Sequence, residues 1–486
     1  TGTTRVDPGA VLRLEGAGAI DQSAVARIDG ALDLSPGLPV QSLRTVAGTG
    51  VIALGSNTLN ISAGSTEFGG TIAGSGGLQI AAGTQVLSGS NIYTGSTVIA
   101  PGAGLALSGP GSIATSAGVI NDGSFDIAGT ADGAAIRTLS GAGRIDLGAR
   151  TLTLTDASGS FSGTIAGTGA LSVTGGTQAL TGASTHTGGT FISNATLSVN
   201  GDAALGAASG LLGLDNARLV TPQGLVSTRD ISLTNANTVD TARQAVSLSG
   251  TISGTGGLIA AGGGQLSLSG NNTYSGGTVV REQTTLAVGT DQALGAKQGA
   301  LVVESGRLLA TGDFSTERTI VVREGGALQT DGYRVDLRGD IVVEKKDSIA
   351  GGVRLFAGTV GVYGPMTVDA GGLTVFEGST LNGTGTVSLA TTVRGTLAPG
   401  NSPGVLYATA PVTMAANSSY AVDIDGPTAG TGTGHHDALV VEGASFTAGG
   451  EIRPQLRGIS GDAGNAYTPS IGQAFRIVQA DAGVFG

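Results

Sequence analysis

The 486 residues contain no cysteine, no tryptophan and only two methionines, and aromatic residues make up just 3%. A chain without cysteine cannot rest on disulfides. It suits the reducing cytosol, and equally a polypeptide that must cross a membrane unfolded, where a premature disulfide would block passage. Charge is also scarce: 12% of residues are charged and the balance is -11. An acidic surface repels phosphate backbones, and the one adjacent basic pair outside loops of mixed charge is Lys345-Lys346, which argues against a nucleic-acid partner. No run of 18 apolar residues offers a membrane helix, and Thr1 opens no methionine-initiated signal region, which reads as a mature product or a piece of something larger.

Glycine is abundant, at 88 residues, yet hydrophobic residues reach 40% and no collagen-like period is present. A core can therefore be buried, and it must be aliphatic. Leu, Val, Ile and Ala with Ser and Thr favour short strands between many turns. "VIALGSNTLNI" sets Ile52, Leu54, Leu59 and Ile61 on one face, and "RIDLGARTLTL" does the same with Ile145, Leu147, Leu152 and Leu154. No long stretch has helical spacing.

Residues 44–95 align with 137–188 without a gap, nearly half the positions being identical, and a third copy begins at Ser249. The glycines opening the G-T-I cores are Gly70, Gly163 and Gly250, so the unit is about 90 residues, too long for ankyrin or leucine-rich repeats. A second block starts at Arg218 and again at Arg307. A unit this long is several coils of a smaller repeat, and stacked coils satisfy their backbone by ladders while needing little aromatic bulk. At roughly 20 to 24 residues per coil and ~4.8 Å per rung, about 20 coils would make a rod about 100 Å long.

"SGNNTYSGGTVVREQTTLAVG", Ser269 to Gly289, resembles the passenger-associated β-strand repeat of bacterial autotransporters, with weaker versions at "SGSNIYTGSTVIAPGAGLALSG" and "TGASTHTGGTFISNATLSVNG". "GTLAPGNSPGVL" followed by "SSYAVDIDG" and "HHDALVVEGASFTAGGEIRPQL" is similar to the end of an autotransporter passenger, called the autochaperone or β-helix cap. The resemblance implies an all-β fold, a right-handed parallel β-helix (β-solenoid) over residues 1–394, with a C-terminal β-rich cap over 395–486 that templates folding. It also implies export across the outer membrane to the bacterial cell surface or beyond, through a translocator β-barrel for which this chain shows no alternating amphipathic strands. The expected role is a non-enzymatic adhesin, aggregation surface or stalk. Its partners would be a host-cell surface, extracellular matrix or other copies, besides its own translocator. The alternative is an enzyme-bearing passenger, with a catalytic module N-terminal to this chain or a carbohydrate-active cleft on the solenoid.

Chemistry-bearing residues are few, and neither a catalytic group, a cofactor nor a metal is expected. Gly400-Asn401-Ser402-Pro403-Gly404 spells the G-x-S-x-G of a hydrolase nucleophile. Pro403, however, lacks the N–H that should follow such a serine, and Pro399 and Pro403 fix a turn. Gly395, Pro399, Gly400, Asn401, Ser402, Pro403 and Gly404 therefore read as a folding motif where coil gives way to cap. Of the three histidines, His186 holds the repeat position of Tyr93 and Tyr274, while His435-His436-Asp437 ends a Gly/Thr loop. Charges gathered between Arg307 and Asp347, including Glu317, Glu324, Asp331, Asp336 and Glu344, alternate in sign and read as a solvated face. Arg338-Gly339-Asp340 spells an integrin-type attachment tripeptide, functional only if its two charges are displayed.

Overall fold

A computed structural model describes residues 2–344, 352–356, 358–362, 365–368, 372–400, 403–456 and 467–486. It divides into two compact units, Thr1–Thr238 and Val239–Gly486. Both are parallel β-solenoids, and among the described residues the departures from strand and turn are two single 3-10 turns, Asp202–Leu205 and Asp291–Leu294.

In the first unit each strand of two to seven residues hydrogen-bonds, in parallel, to the strand one coil later. Leu59 pairs with Leu78 and Leu78 with Thr97, so a coil takes 19 residues there. It shortens to 18 from Val40 to Thr58 and lengthens to 22 from Thr97 to Val119. The alternation read from the sequence points inward as expected: Ile52, Leu54, Leu59, Ile61, Ile145, Leu147, Leu152 and Leu154 are all buried. Strict register stacks like on like, as in Leu43–Ile61–Ile80–Ile99. Each such side chain removed from water contributes about 1.5–3 kcal/mol, which explains how a chain poor in aromatics sustains a core. Where a polar residue enters that core it bridges coils. The amide of Gln85 accepts from the Val46 N–H (3.2 Å) and donates to the carbonyls of Val46 (3.0 Å) and Thr66 (2.8 Å), and Gln178 repeats the device by donating to Leu139 (3.2 Å).

The second unit follows the same rule, with Val246, Leu266, Leu286, Leu308 and Leu328 in one buried column. The coils then lengthen. Tyr407 pairs with Val440 and Val440 with Gln479, and two antiparallel contacts intrude, Ile424 with His436 and Gly383 with Gly400. The strand Glu451–Leu456 pairs with Ser419–Ile424 and is exposed along its whole length.

Candidate functional site

Two tyrosines and one histidine at equivalent repeat positions form structural latches. Tyr93 Oη lies 2.6 Å from Thr97 Oγ1, Tyr274 Oη 2.6 Å from Thr278 Oγ1, and His186 Nε2 3.0 Å from Thr190 Oγ1, all fully buried. Two residues before each ring, Asn91, Asn272 and Ser184 accept an N–H from the coil below: Ile72 at 2.9 Å, Ile252 at 2.8 Å and Ile165 at 3.2 Å. The motif is thus Asn/Ser-x-Tyr/His-x-x-x-Thr, a turn clamped from both ends. Burial pushes the Tyr274 hydroxyl up to about 12 and raises that of Tyr93 as well, so both stay protonated.

Burial pushes the His186 imidazole below its usual range, and the charge of Arg229 acts in the same direction. The native state holds it neutral while the unfolded chain gains a proton as pH falls below about 6.5. Stability from this position is therefore complete above that pH and is lost on acidification. The His186→Tyr variant installs the residue found at the sister latches and removes the buried Nδ1, which has no hydrogen-bond partner. In melting curves from pH 8 to pH 5 the variant should gain on the wild type as pH falls, by at most about 1.4 kcal/mol per unit. Parallel curves would contradict the assignment.

Two arginines missed in the sequence, Arg229 and Arg318, make dense networks of hydrogen bonds among the described residues. Arg229 donates Nε to Asp202 Oδ1 (2.9 Å) and Nη2 to Asp202 Oδ2 (3.0 Å), the Asp202 carbonyl (3.1 Å) and the Gly206 carbonyl (3.2 Å). Its Nη1 reaches the carbonyls of Leu205, Ala207 and Gly210. In the second unit Arg318 repeats this on Asp291, Leu294, Gly295, Ala296 and Gly299. Each guanidinium closes off the carbonyls left open by a 3-10 turn. The signal was in the sequence: Asp202-Ala203-Ala204-Leu205-Gly206 and Asp291-Gln292-Ala293-Leu294-Gly295 recur with the same offset as Arg229 and Arg318.

Near the C-terminus, Asp437 Oδ1 accepts the Gly404 N–H (2.7 Å) and Oδ2 the Asp423 N–H (2.8 Å). His436 is buried, with Nδ1 3.1 Å from the Gly426 carbonyl, Nε2 3.3 Å from that of Arg476, and Phe475 edge-on at 5.4 Å. These partners are backbone and ring, an arrangement that ties turns together. Gly400 has φ +92°, and a Cβ there would lie 2.4 Å from Asp437 Oδ1, so this position demands glycine. Gly400 and Gly404 border this tie, the Pro403 carbonyl accepts the Gly432 N–H (3.1 Å), Pro399 pairs with Gly383, and Gly395 lies against the Phe376 and Ser379 carbonyls, while Asn401 and Ser402 lie outside the described residues.

Arg338 and Asp340 are exposed on a corner between the strands Arg334–Leu337 and Ile341–Glu344. The corner is seated on the coil below. Arg338 donates its N–H to the Thr316 carbonyl (2.8 Å), the Ile320 N–H reaches the Asp340 carbonyl (2.8 Å), and a Cβ on Gly339 would meet the Glu317 carbonyl at 2.3 Å. Around it Arg334 pairs with Asp336 at 2.9 Å and Lys297 with Glu317 at 3.8 Å, the solvated face expected, with Lys345, Lys346 and Asp347 outside the described residues. No grouping of three or more His, Asp or Glu suited to a metal occurs among the described residues.

Repetitive parallel coils, latched at Tyr93, His186 and Tyr274, define a β-solenoid protein. Residues 82–104, 175–199 and 258–288 match the family described as Passenger-associated-transport-repeat, and each match encloses one latch, at Tyr93, His186 or Tyr274. The chain is 40% identical over 85 residues to the Adhesin BmaC autotransporter of Brucella suis biovar 1 (strain 1330), a match covering 18% of this chain and 2% of that relative. The chain is autotransporter passenger material carrying this repeat, exported to the cell surface or beyond.

Proposed function

We propose that this chain is a non-enzymatic, adhesin-like passenger segment that presents the lateral faces of its coils to a host-cell surface, extracellular matrix or neighbouring copies, and that reaches the surface through a translocator β-barrel. The observation that carries the reading is the passenger repeat built three times into the coil itself, together with the relative bearing the printed name of adhesin. Among the described residues, His186 is engaged with the Thr190 hydroxyl in a latch, and His436 and Asp437 with backbone in turn ties. Repeated shallow faces suit many weak contacts acting together. Beads coated with the protein should adhere to host cells or matrix above uncoated beads, and absence of both attachment and bead clustering would overturn the adhesive reading.

Within it, residues 395–486 act as cap and folding template for residues 1–394, and Arg338-Gly339-Asp340 is the candidate point of host contact, supported by the exposure of both charged residues. Asp340→Glu keeps the charge and shifts the carboxylate by one methylene. It should lower bead attachment to integrin-bearing cells while melting stays unchanged. Undiminished attachment would remove the tripeptide from the reading.

A further inference from the structure

The outer face of one sheet in the second unit departs from the polar pattern. Register places Ile259 beside Val279, Val279 beside Val302, Val302 beside Val321 and Val321 beside Val342, each flanked along its strand by buried residues and itself partly exposed. Five β-branched aliphatics thus form a straight outward row, about 19 Å long at ~4.8 Å per rung. The corresponding row on the neighbouring sheet of the same unit reads Ser247, Ser267, Ala287, Leu309 and Gln329, of which Ala287 is buried. Two residues further along the same strands runs a second row in which charge alternates: Arg281 follows Val280, and Glu304 pairs in register with Arg323.

We propose that this face is a contact between two copies of the chain, laid antiparallel. The proposal rests on the adhesin-like reading and gives it one definite partner. Consider a two-fold axis lying along the strands, midway between the rungs of Val302 and Val321. It brings the two sheets face to face, reverses the rung order and leaves each row opposite itself. Val302 then meets Val321 of the second copy, and Val279 meets Val342. Along the charged row Glu304 meets Arg323 of the second copy, and Arg323 meets Glu304. A parallel arrangement has its axis along the coil axis and carries the charged row to the far side, away from its counterpart. The Glu304–Arg323 alternation is therefore self-complementary in the antiparallel sense only, which is the isologous geometry of most homodimers. The same order also lets the charges pair between rungs of one copy. The contact is small beside the roughly 800 Å² per partner of a stable interface, so it acts through many copies displayed together.

The test exploits the symmetry. Glu304→Arg leaves two arginines facing each other, and Arg323→Glu leaves two glutamates. Each variant alone should cluster on densely coated beads at least about tenfold less than wild type, as like charges opposed across a contact are strongly disfavoured. An equal mixture of the two should cluster again, because every arginine of one copy then faces a glutamate of the other. Val321→Lys should abolish clustering alone and in mixture. Both charge variants sit on the outer face, and circular dichroism should show unchanged folding. Clustering by either single charge variant at the wild-type level, or failure of the mixture to recover, overturns the proposal. Attachment of the same beads to host cells or matrix is read in parallel. Attachment without wild-type clustering defeats this contact alone, and loss of both defeats the adhesin-like reading too.

Discussion

Arg229→Ala should destabilise its unit by about 3–5 kcal/mol, the cost of breaking a buried ion pair from one side. Arg229 is buried, and every one of its nitrogens donates. Removing it strands the Asp202 carboxylate and leaves the carbonyls of Gly210 and Gly206 without this donor, each buried unsatisfied group adding about 1–3 kcal/mol, while the Ala207 carbonyl keeps the Gly210 N–H (2.8 Å). Arg229→Lys should recover only part, because an ammonium has three donors and no planar fork to span a carboxylate and five carbonyls together. Arg318→Ala should do the same in the other unit, whose clamp matches group for group. The contrast is Arg144 with Asp146, a pair whose side chains are 57% and 38% exposed. Its loss should cost under about 1 kcal/mol. Because stacked coils contact only their neighbours, the lesion should open locally. Limited proteolysis should cut around 202–210 in Arg229→Ala before the rest of the unit yields. A guanidinium denaturation midpoint within error of wild type for Arg229→Ala would show that the clamp is ornamental.

The clamps show where sequence reading stops. Alternation at Ile52, Leu54, Leu59 and Ile61 was legible because burial has a period of two and the residues are chemically distinct from their neighbours. The coil length was close to legible too, since the repeats keep apolar positions in register. Arg229, in "STRD", looks like any surface arginine, and only its recurrence with the Asp-x-Ala-Leu-Gly turn separates it. The valine row was hidden for the opposite reason. "LVV" at Leu301 to Val303 and "IVV" at Ile320 to Val322 read as buried runs, and only the register shows that Val302 and Val321 face outward. Gly400-Asn401-Ser402-Pro403-Gly404 read as a folding motif: its flanking glycines are held by Asp437 and by the Gly383 bridge, while Asn401 and Ser402 lie outside the described residues. The latches fell between these cases. Equivalence of Tyr93, His186 and Tyr274 was visible, but the threonine four residues on was not recognised as their partner.

Deletion of residues 395–486 should abolish cooperative refolding of the remainder. The strands that would be lost cover the open edges of three sheets: Thr396–Pro399 lies on Ser379–Gly383, Val405–Ala408 on Thr386–Val387, and Val412–Met414 on Ala390–Val393. Exposed edges of parallel sheet are poor starting points for folding, because each rung must pay loop-closure entropy before its ladder forms. A preformed end removes that cost for the next coil. To act as the proposed template, residues 395–486 must fold early. Their aromatic contacts include Tyr420 edge-on to Phe446 at 6.4 Å, and the Tyr420 hydroxyl, kept protonated by burial, donates to the Ile477 carbonyl at 2.7 Å. Asp437 then fixes two separate turns with one carboxylate. Asp437→Ala leaves the Gly404 and Asp423 N–H groups unpaired and should cost about 2–5 kcal/mol, while Asp437→Asn retains one acceptor oxygen and should cost less. If the region is a template, Asp437→Ala should slow refolding of the whole chain and barely change its unfolding rate, the pattern of a group already in place at the transition state. If it is merely the last part to fold, the same variant should speed unfolding and leave refolding untouched. Refolding of the truncated chain at the full-length rate would settle the matter against the template.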